Sequence, residues 1–186
     1  LGDEEAAQDA YQRAFAACPE APGVAITLEN LYRKNENWAA LRNLLEQAQR
    51  RGPAIERCHF HCSLGELLEK HFEDFEASAS CFEACLGFGP DARALRGLTR
   101  LAERAGNPEA LIRALEREAG LDPSPSRRGE IDLELCELYR RGDDLESART
   151  WAKRASETAA TDRDVLERLA RLQEDLGCKD ELCQTL

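Results

Sequence analysis

The chain has 186 residues, 42% hydrophobic and 33% charged, and its 36 carboxylates against 25 lysines and arginines give a net charge of -11. That balance argues against nucleic-acid binding, which wants a clustered basic face. No stretch approaches the roughly 18 consecutive apolar residues that a membrane span needs.

Apolar residues recur with helical periodicity throughout, and neither strand-like alternation nor an Asn-Gly hairpin signal interrupts them. The pattern predicts helices over residues 3–17, 22–34, 37–51, 55–71, 74–87, 92–105, 108–119, 127–141, 144–158, 163–176 and 179–186. Gly52-Pro53 ends one helix and starts another, and Asp91 is placed to cap the helix after it. Asn107-Pro108-Glu109 reads as an N-cap, a proline at the first helical position and an acid at the positive end of the helix dipole. The longest irregular connection is Asp122-Pro123-Ser124-Pro125-Ser126, and Asp144 and Asp162 cap the helices beyond it. The closing residues from Asp180 begin a helix of about two turns. With no methionine present, and half-units expected at 1–20 and 162–186, the sequence reads as an excerpt of a longer protein.

A spacing recurs beneath these helices. An apolar or aromatic anchor precedes a second apolar residue by nine positions: Tyr32 and Leu41, Leu68 and Ala77, Leu101 and Ala110, Tyr139 and Ala148. Successive anchors Tyr32, Leu68, Leu101, Tyr139 and Leu172 are 36, 33, 38 and 33 residues apart. A unit of two helices therefore repeats while its loops vary, with full hairpins at 22–52, 55–90, 91–121 and 127–160. Two helices cross closely only where one offers a small side chain, the role assigned to Ala7, Ala77, Ala110 and Ala148. Leu41 stands where an alanine is expected, Cys136 where a glycine would follow Leu135, and Arg117 at a normally small position.

At Leu64-Gly65-x-x-Leu68, Ala77-x3-Cys81-x2-Ala84 and Pro90, and at Ala7-x3-Tyr11-x2-Ala14-x4-Pro19, the chain resembles the tetratricopeptide (TPR) family. The resemblance extends over nearly the whole sequence. It implies an all-α solenoid of antiparallel helical hairpins stacked in a right-handed superhelix. In that family the first helix of each hairpin lines a concave groove that commonly holds an extended peptide or a partner helix. The implied face carries Ile26, Asn30, Arg33 and Lys34, then Cys62, Glu66, Glu69 and Lys70, then Leu95, Thr99 and Glu103, then Leu133, Glu137, Arg140 and Arg141. The set is mixed in sign, and only Asn30 fits the lysine and asparagine clamp of chaperone-binding members, so a chaperone co-factor is not expected. Arg127-Arg128 and Arg140-Arg141 read as surface residues near helix ends.

Of the eight cysteines, Cys18, Cys58, Cys62, Cys81, Cys85, Cys136, Cys178 and Cys183, none forms a C-x-x-C pair. The expectation is reduced, unligated thiols packed as small hydrophobes in a cytoplasmic protein, with no metal and no cofactor. An alternative joins Cys58 and Cys62 to Cys81 and Cys85, with His59 or His61 available, as a tetrahedral zinc site or an oxidation switch. No phosphate loop, H-E-x-x-H or G-x-S-x-G occurs, so no enzymatic activity is expected. The sequence thus predicts a protein-interaction scaffold for a protein or peptide partner, with self-association through exposed repeat ends as a further possibility.

Overall fold

The computed structural model describes residues 2–121, 123–158 and 163–177. Leu1, Asp122, the Asp162 cap, Cys178, Cys183 and the expected helix 179–186 lie outside the described residues. Among those described, ten α-helices and no strands are found: α1 (Gly2–Ala17), α2 (Val24–Lys34), α3 (Trp38–Arg51), α4 (Arg57–Leu67), α5 (Phe75–Leu86), α6 (Ala92–Ala105), α7 (Pro108–Ala119), α8 (Pro125–Arg141), α9 (Leu145–Thr158) and α10 (Arg163–Asp175). The helix expected over 55–71 is less regular: a 3-10 turn at Ala54–Glu56 leads into α4, and a π-helical turn at Leu68–Phe72 ends it. α8 starts two residues early, because Ser124 accepts a hydrogen bond from the Arg127 N–H and Pro125 takes the first helical position.

Contacts divide the chain into two compact units, Leu1–Gly97 and Leu98–Leu186. The first unit is built around one buried cluster that includes Phe15, Leu28, Leu41, Leu45, Phe60 and Leu67. The second holds two clusters, one around Leu115, Ile131 and Leu135 and one around Leu133, Ala152 and Leu169.

One turn joins the two helices of each hairpin and occurs four times. Glu36, Glu73, Gly106 and Asp143 adopt left-handed backbone conformations, and each is followed by an Asn or Asp that caps the next helix. The N–H of Asn37, Asn107 and Asp144 bonds back to the carbonyl five residues earlier, at Tyr32, Ala102 and Tyr139. This arrangement satisfies a carbonyl at the end of the first helix while the side chain caps the second. At Asp74 the bond reaches back six residues to Leu68, because the π-helical turn holds one extra residue.

That extra residue shifts the nine-residue register in the α4–α5 hairpin, and in the next hairpin the register shifts because the turn bonds back to Ala102, not to Leu101. Counted from the shared turn, the positions equivalent to Leu41 and Ala148 are Ser78 and Leu111, and both are buried whereas Ala77 and Ala110 are only half-buried. At the α4–α5 crossing the close approach belongs to Ser78, whose hydroxyl donates to the Gly65 carbonyl at 2.8 Å. In the following hairpin Ala102 supplies the small residue and Leu111 the large one. Ala148→Leu should therefore overpack a filled site and cost about 1–3 kcal/mol, while Ala77→Leu should cost less than about 1 kcal/mol. Thermal denaturation showing equal losses for the two would restore the simpler register.

Candidate partner-binding face and cysteine cluster

In the first unit, the polar side chains of α2, α4 and the start of α6 bond to one another from helix to helix. Glu29, only 3% exposed, accepts from Arg33 Nε and Nη2 at 3.0 and 2.9 Å, and its other oxygen lies 2.8 Å from His59 Nε2. Burial pushes the Glu29 carboxyl up, but its bonds to His59, Ser63 and Arg33 outweigh this and hold it below its ordinary value. Further along, Arg93 of α6 grips Glu66 of α4 with Nε and Nη2 at 3.3 and 3.0 Å. The sequence did not single out Glu29 or Arg93, and named His59 only as a possible metal ligand, because the His59–Glu29 and Arg93–Glu66 contacts join residues 30 and 27 positions apart.

Ser63, His59 and Glu29 have the composition of a hydrolase triad without its geometry. The same imidazole nitrogen, Nε2, faces both Glu29 at 2.8 Å and Ser63 Oγ at 3.5 Å. A triad needs the acid on one ring nitrogen and the nucleophile on the other. Ser63 is also fully buried, so no substrate carbonyl can reach it.

The second unit repeats the helix-to-helix pattern. Glu137 of α8 accepts from Arg168 of α10 at 2.7 Å and from Arg141 at 3.5 Å, and Arg140 lies 3.6 Å from Asp175. Burial, then the neighbouring charge of Glu103, raises the Glu134 carboxyl. A cavity of about 700 Å³ opens where α6 ends, α7 begins and α8 ends, lined by Leu111, Ile112 and Leu138 together with Glu103 and Arg141.

The residues implied for the partner face thus separate. Asn30, Lys34, Lys70, Glu103 and Arg141 are exposed, and Ile26, Arg33, Glu66, Glu69, Glu137 and Arg140 are half-buried. Cys62, at 1% exposed, and Thr99, at 6%, turn inward with Leu95 and Leu133 and cannot meet a ligand there. Both follow the apolar stripe of their helices, where a thiol and a hydroxyl-bearing methyl pack like other small side chains.

Three of the four clustered cysteines converge. Cys85 Sγ lies 2.7 Å from Cys58 Sγ and 3.3 Å from Cys62 Sγ, near the end of the α4–α5 hairpin. Cys81 does not join them; it packs against the core of the first unit, where burial and then the charges of Glu46 and Asp74 push its thiol up to about 11. The fourth group at the cluster is Asp91, which the sequence marked only as a helix cap. Neither expected histidine takes part: His59 is bound to Glu29, and the His61 ring packs on Phe88 with centroids 5.6 Å apart.

Helical hairpins that repeat one turn, one cap and one buried anchor define a helical-repeat scaffold. No protein-family model matches the chain, and no curated protein matches it by sequence. Solved structures do match in shape. MamA superposes with a TM-score of 0.60 at 12% identity, over 87% of this chain and 86% of its own. A tetratricopeptide repeat protein from Parabacteroides merdae gives 0.63 at 15% identity over 87% of this chain, which spans 62% of that protein. YrrB, described as a TPR protein with an unusual peptide-binding site, gives 0.62 at 14% identity over 96% and 88% of the two chains. The fold is therefore TPR-like. No helix among the described residues is long and apolar enough to cross a membrane.

Proposed function

We propose that this protein is a non-enzymatic interaction module whose first helices capture an extended peptide or a helix of a partner protein. The observation that carries the reading is the set of helix-to-helix ion pairs. They fix Glu66 with Arg93 and Glu137 with Arg168, and a pair with Glu29 within α2 fixes Arg33, while the arginines stay in contact with solvent. Charged groups held before a ligand arrives cost less entropy when they bind it, and their mixed sign selects a segment carrying both charges. The likeness to YrrB, itself described as having a peptide-binding site, supports the same class of ligand. Catalysis finds no support in the Ser63, His59 and Glu29 geometry.

Affinity isolation from the native source tests this with two double variants: Asn30→Ala with Lys70→Glu, and Glu103→Lys with Arg141→Glu, of which Arg141 makes one pair, with Glu137 at 3.5 Å on its own helix. Arg141 is 68% exposed in its side chain, so its reversal should leave the fold intact. The expected result is a partner retained by the native chain and lost by at least one variant of equal thermal stability, more readily at high ionic strength. Recovery of the same partner by both variants refutes the reading. If the only species retained is a second copy of the chain, with sedimentation that depends on concentration, self-association replaces it.

A further inference from the structure

We propose that Cys58, Cys62, Cys85 and Asp91 form a binding site for one zinc ion. This inference is independent of the partner-binding reading.

The site draws on three elements of the first unit: Cys58 and Cys62 from α4, Cys85 from the last turn of α5, and Asp91 from the connection into α6. The ligand atoms of Cys58, Cys85 and Asp91 all lie within 4.8 Å of one another. Cys62 Sγ completes the group at 3.3 Å from Cys85 Sγ and 3.6 Å from Asp91 Oδ1, and Cys58 Sγ is 3.8 Å from Asp91 Oδ2. A tetrahedral zinc with bonds of about 2.3 Å to sulfur sets its ligands about 3.7 Å apart. The Cys62–Cys85 separation and the contact of each Asp91 oxygen, Oδ1 with Cys62 and Oδ2 with Cys58, lie within about half an ångström of that edge. The Cys58–Cys85 pair, at 2.7 Å, must open by about 1 Å, and Cys62, which lies outside the group in mutual reach, must move in to become the fourth ligand.

Asp91 is suited to both of its tasks. Oδ1 accepts the N–H groups of Arg93 and Ala94 at 2.8 and 3.0 Å, which caps α6 and fixes the carboxylate plane. Oδ2 takes no part in the cap and faces Cys58. The cation beside this carboxylate among the described residues is Arg93, whose guanidinium is engaged by Glu66. Burial, with Asp91 adding to it, pushes the Cys62 thiol up to about 12, and burial pushes the Cys85 thiol up as well. A divalent cation reverses this, converting three thiols and one carboxylate into a complex of net charge about -2 with release of three protons. Thiolate donors favour zinc over magnesium or calcium, which take oxygen ligands. Cys58 and Asp91 are each partly exposed, which gives the ion a way in. A disulfide, by contrast, would use two of the sulfurs and leave Cys62 Sγ and Asp91 Oδ2 outside the bond.

The full chain, expressed with zinc and purified with reductant and without chelator, should contain about one zinc per molecule by elemental analysis. Cobalt substitution should give a tetrahedral spectrum with a sulfur-to-cobalt charge-transfer band. Cys58→Ser and Cys85→Ser should lose that band, while Cys81→Ser keeps both metal and band. Asp91→Asn preserves the cap, since asparagine caps as well as aspartate, and should bind zinc at least about tenfold more weakly with helicity unchanged. Removal of the metal should lower the Tm by about 5 °C or more. Less than about a tenth of an equivalent of zinc after reconstitution, recovery of a Cys58–Cys85 disulfide despite the reductant, or loss of metal in Cys81→Ser would each overturn the assignment.

Discussion

Gly97→Ala should destabilise the protein by about 1–2 kcal/mol, against the usual direction for a glycine in the middle of a helix. Replacing such a glycine by alanine ordinarily gains up to about 1 kcal/mol from the backbone. Here the added methyl would meet the fully buried ring of Phe82, with Cδ2 at 2.8 Å and Cε2 and Cζ closer still. The ring cannot withdraw, because its opposite edge is already against Gly65, where a Cβ would lie 2.8 Å from Cε1. The phenyl group is thus held between two glycines, one on α4 and one on α6, and a methyl on either side forces the helices apart. Gly65→Ala should behave alike. Phe82→Leu combined with Gly97→Ala should cost less than the sum of the two singles, since the smaller side chain makes room for the methyl. A Tm for Gly97→Ala at or above that of the native chain would show that the ring yields and that the approach is not tight.

Gly65 was legible in the sequence, as part of the Leu64-Gly65 pair of a repeat, whereas Gly97 was not. The difference illustrates what a single chain reveals. Caps at Asp91, Asn107 and Asp144 could be read because an N-cap is a local signal: a short polar side chain directly before an apolar periodic run. The left-handed residues before three of the four turn caps escaped notice, because Glu36, Glu73 and Asp143 occupy positions where glycine would have announced the turn. The shift from Ala77 to Ser78 arises from one residue inserted in a π-helical turn, which a fixed spacing cannot register. In the cysteine cluster, a spacing of four correctly placed Cys58 with Cys62 on one face, but it did not fix how α5 is rotated. That rotation brings Cys85 to the cluster, turns Cys81 into the core, and lets Asp91 enter from beyond the helix. An acidic residue on a helix is by default solvated, and that default fails where a partner distant in sequence returns to cover one, as His59 does at Glu29.

Arg127, read from sequence as surface chemistry at a helix start, is the other place where that failure has a large consequence. Glu118, in the last turn of α7, is 2% exposed, and Arg127 in the first turn of α8 meets it with two parallel bonds, Nε to Oε1 at 3.1 Å and Nη2 to Oε2 at 3.0 Å. These bonds to Glu118, followed by its charge, raise the arginine pKa above its ordinary value despite partial burial. The remaining nitrogen reaches Glu130 at 3.2 Å, on the solvent side. Arg127→Ala should therefore cost about 3 kcal/mol, because it strands a buried carboxylate, far more than the loss of an exposed ion pair would. Arg127→Lys keeps the charge but cannot reproduce the planar fork, and should recover only part of the loss. Replacing both groups, as Glu118→Leu with Arg127→Met, should come out within about 1 kcal/mol of the native chain, since no charge then remains to be satisfied. Denaturant unfolding of the two singles and the double gives the coupling directly. A loss for Arg127→Ala below about 1 kcal/mol would place Glu118 in contact with water and return the pair to the surface class that the sequence suggested.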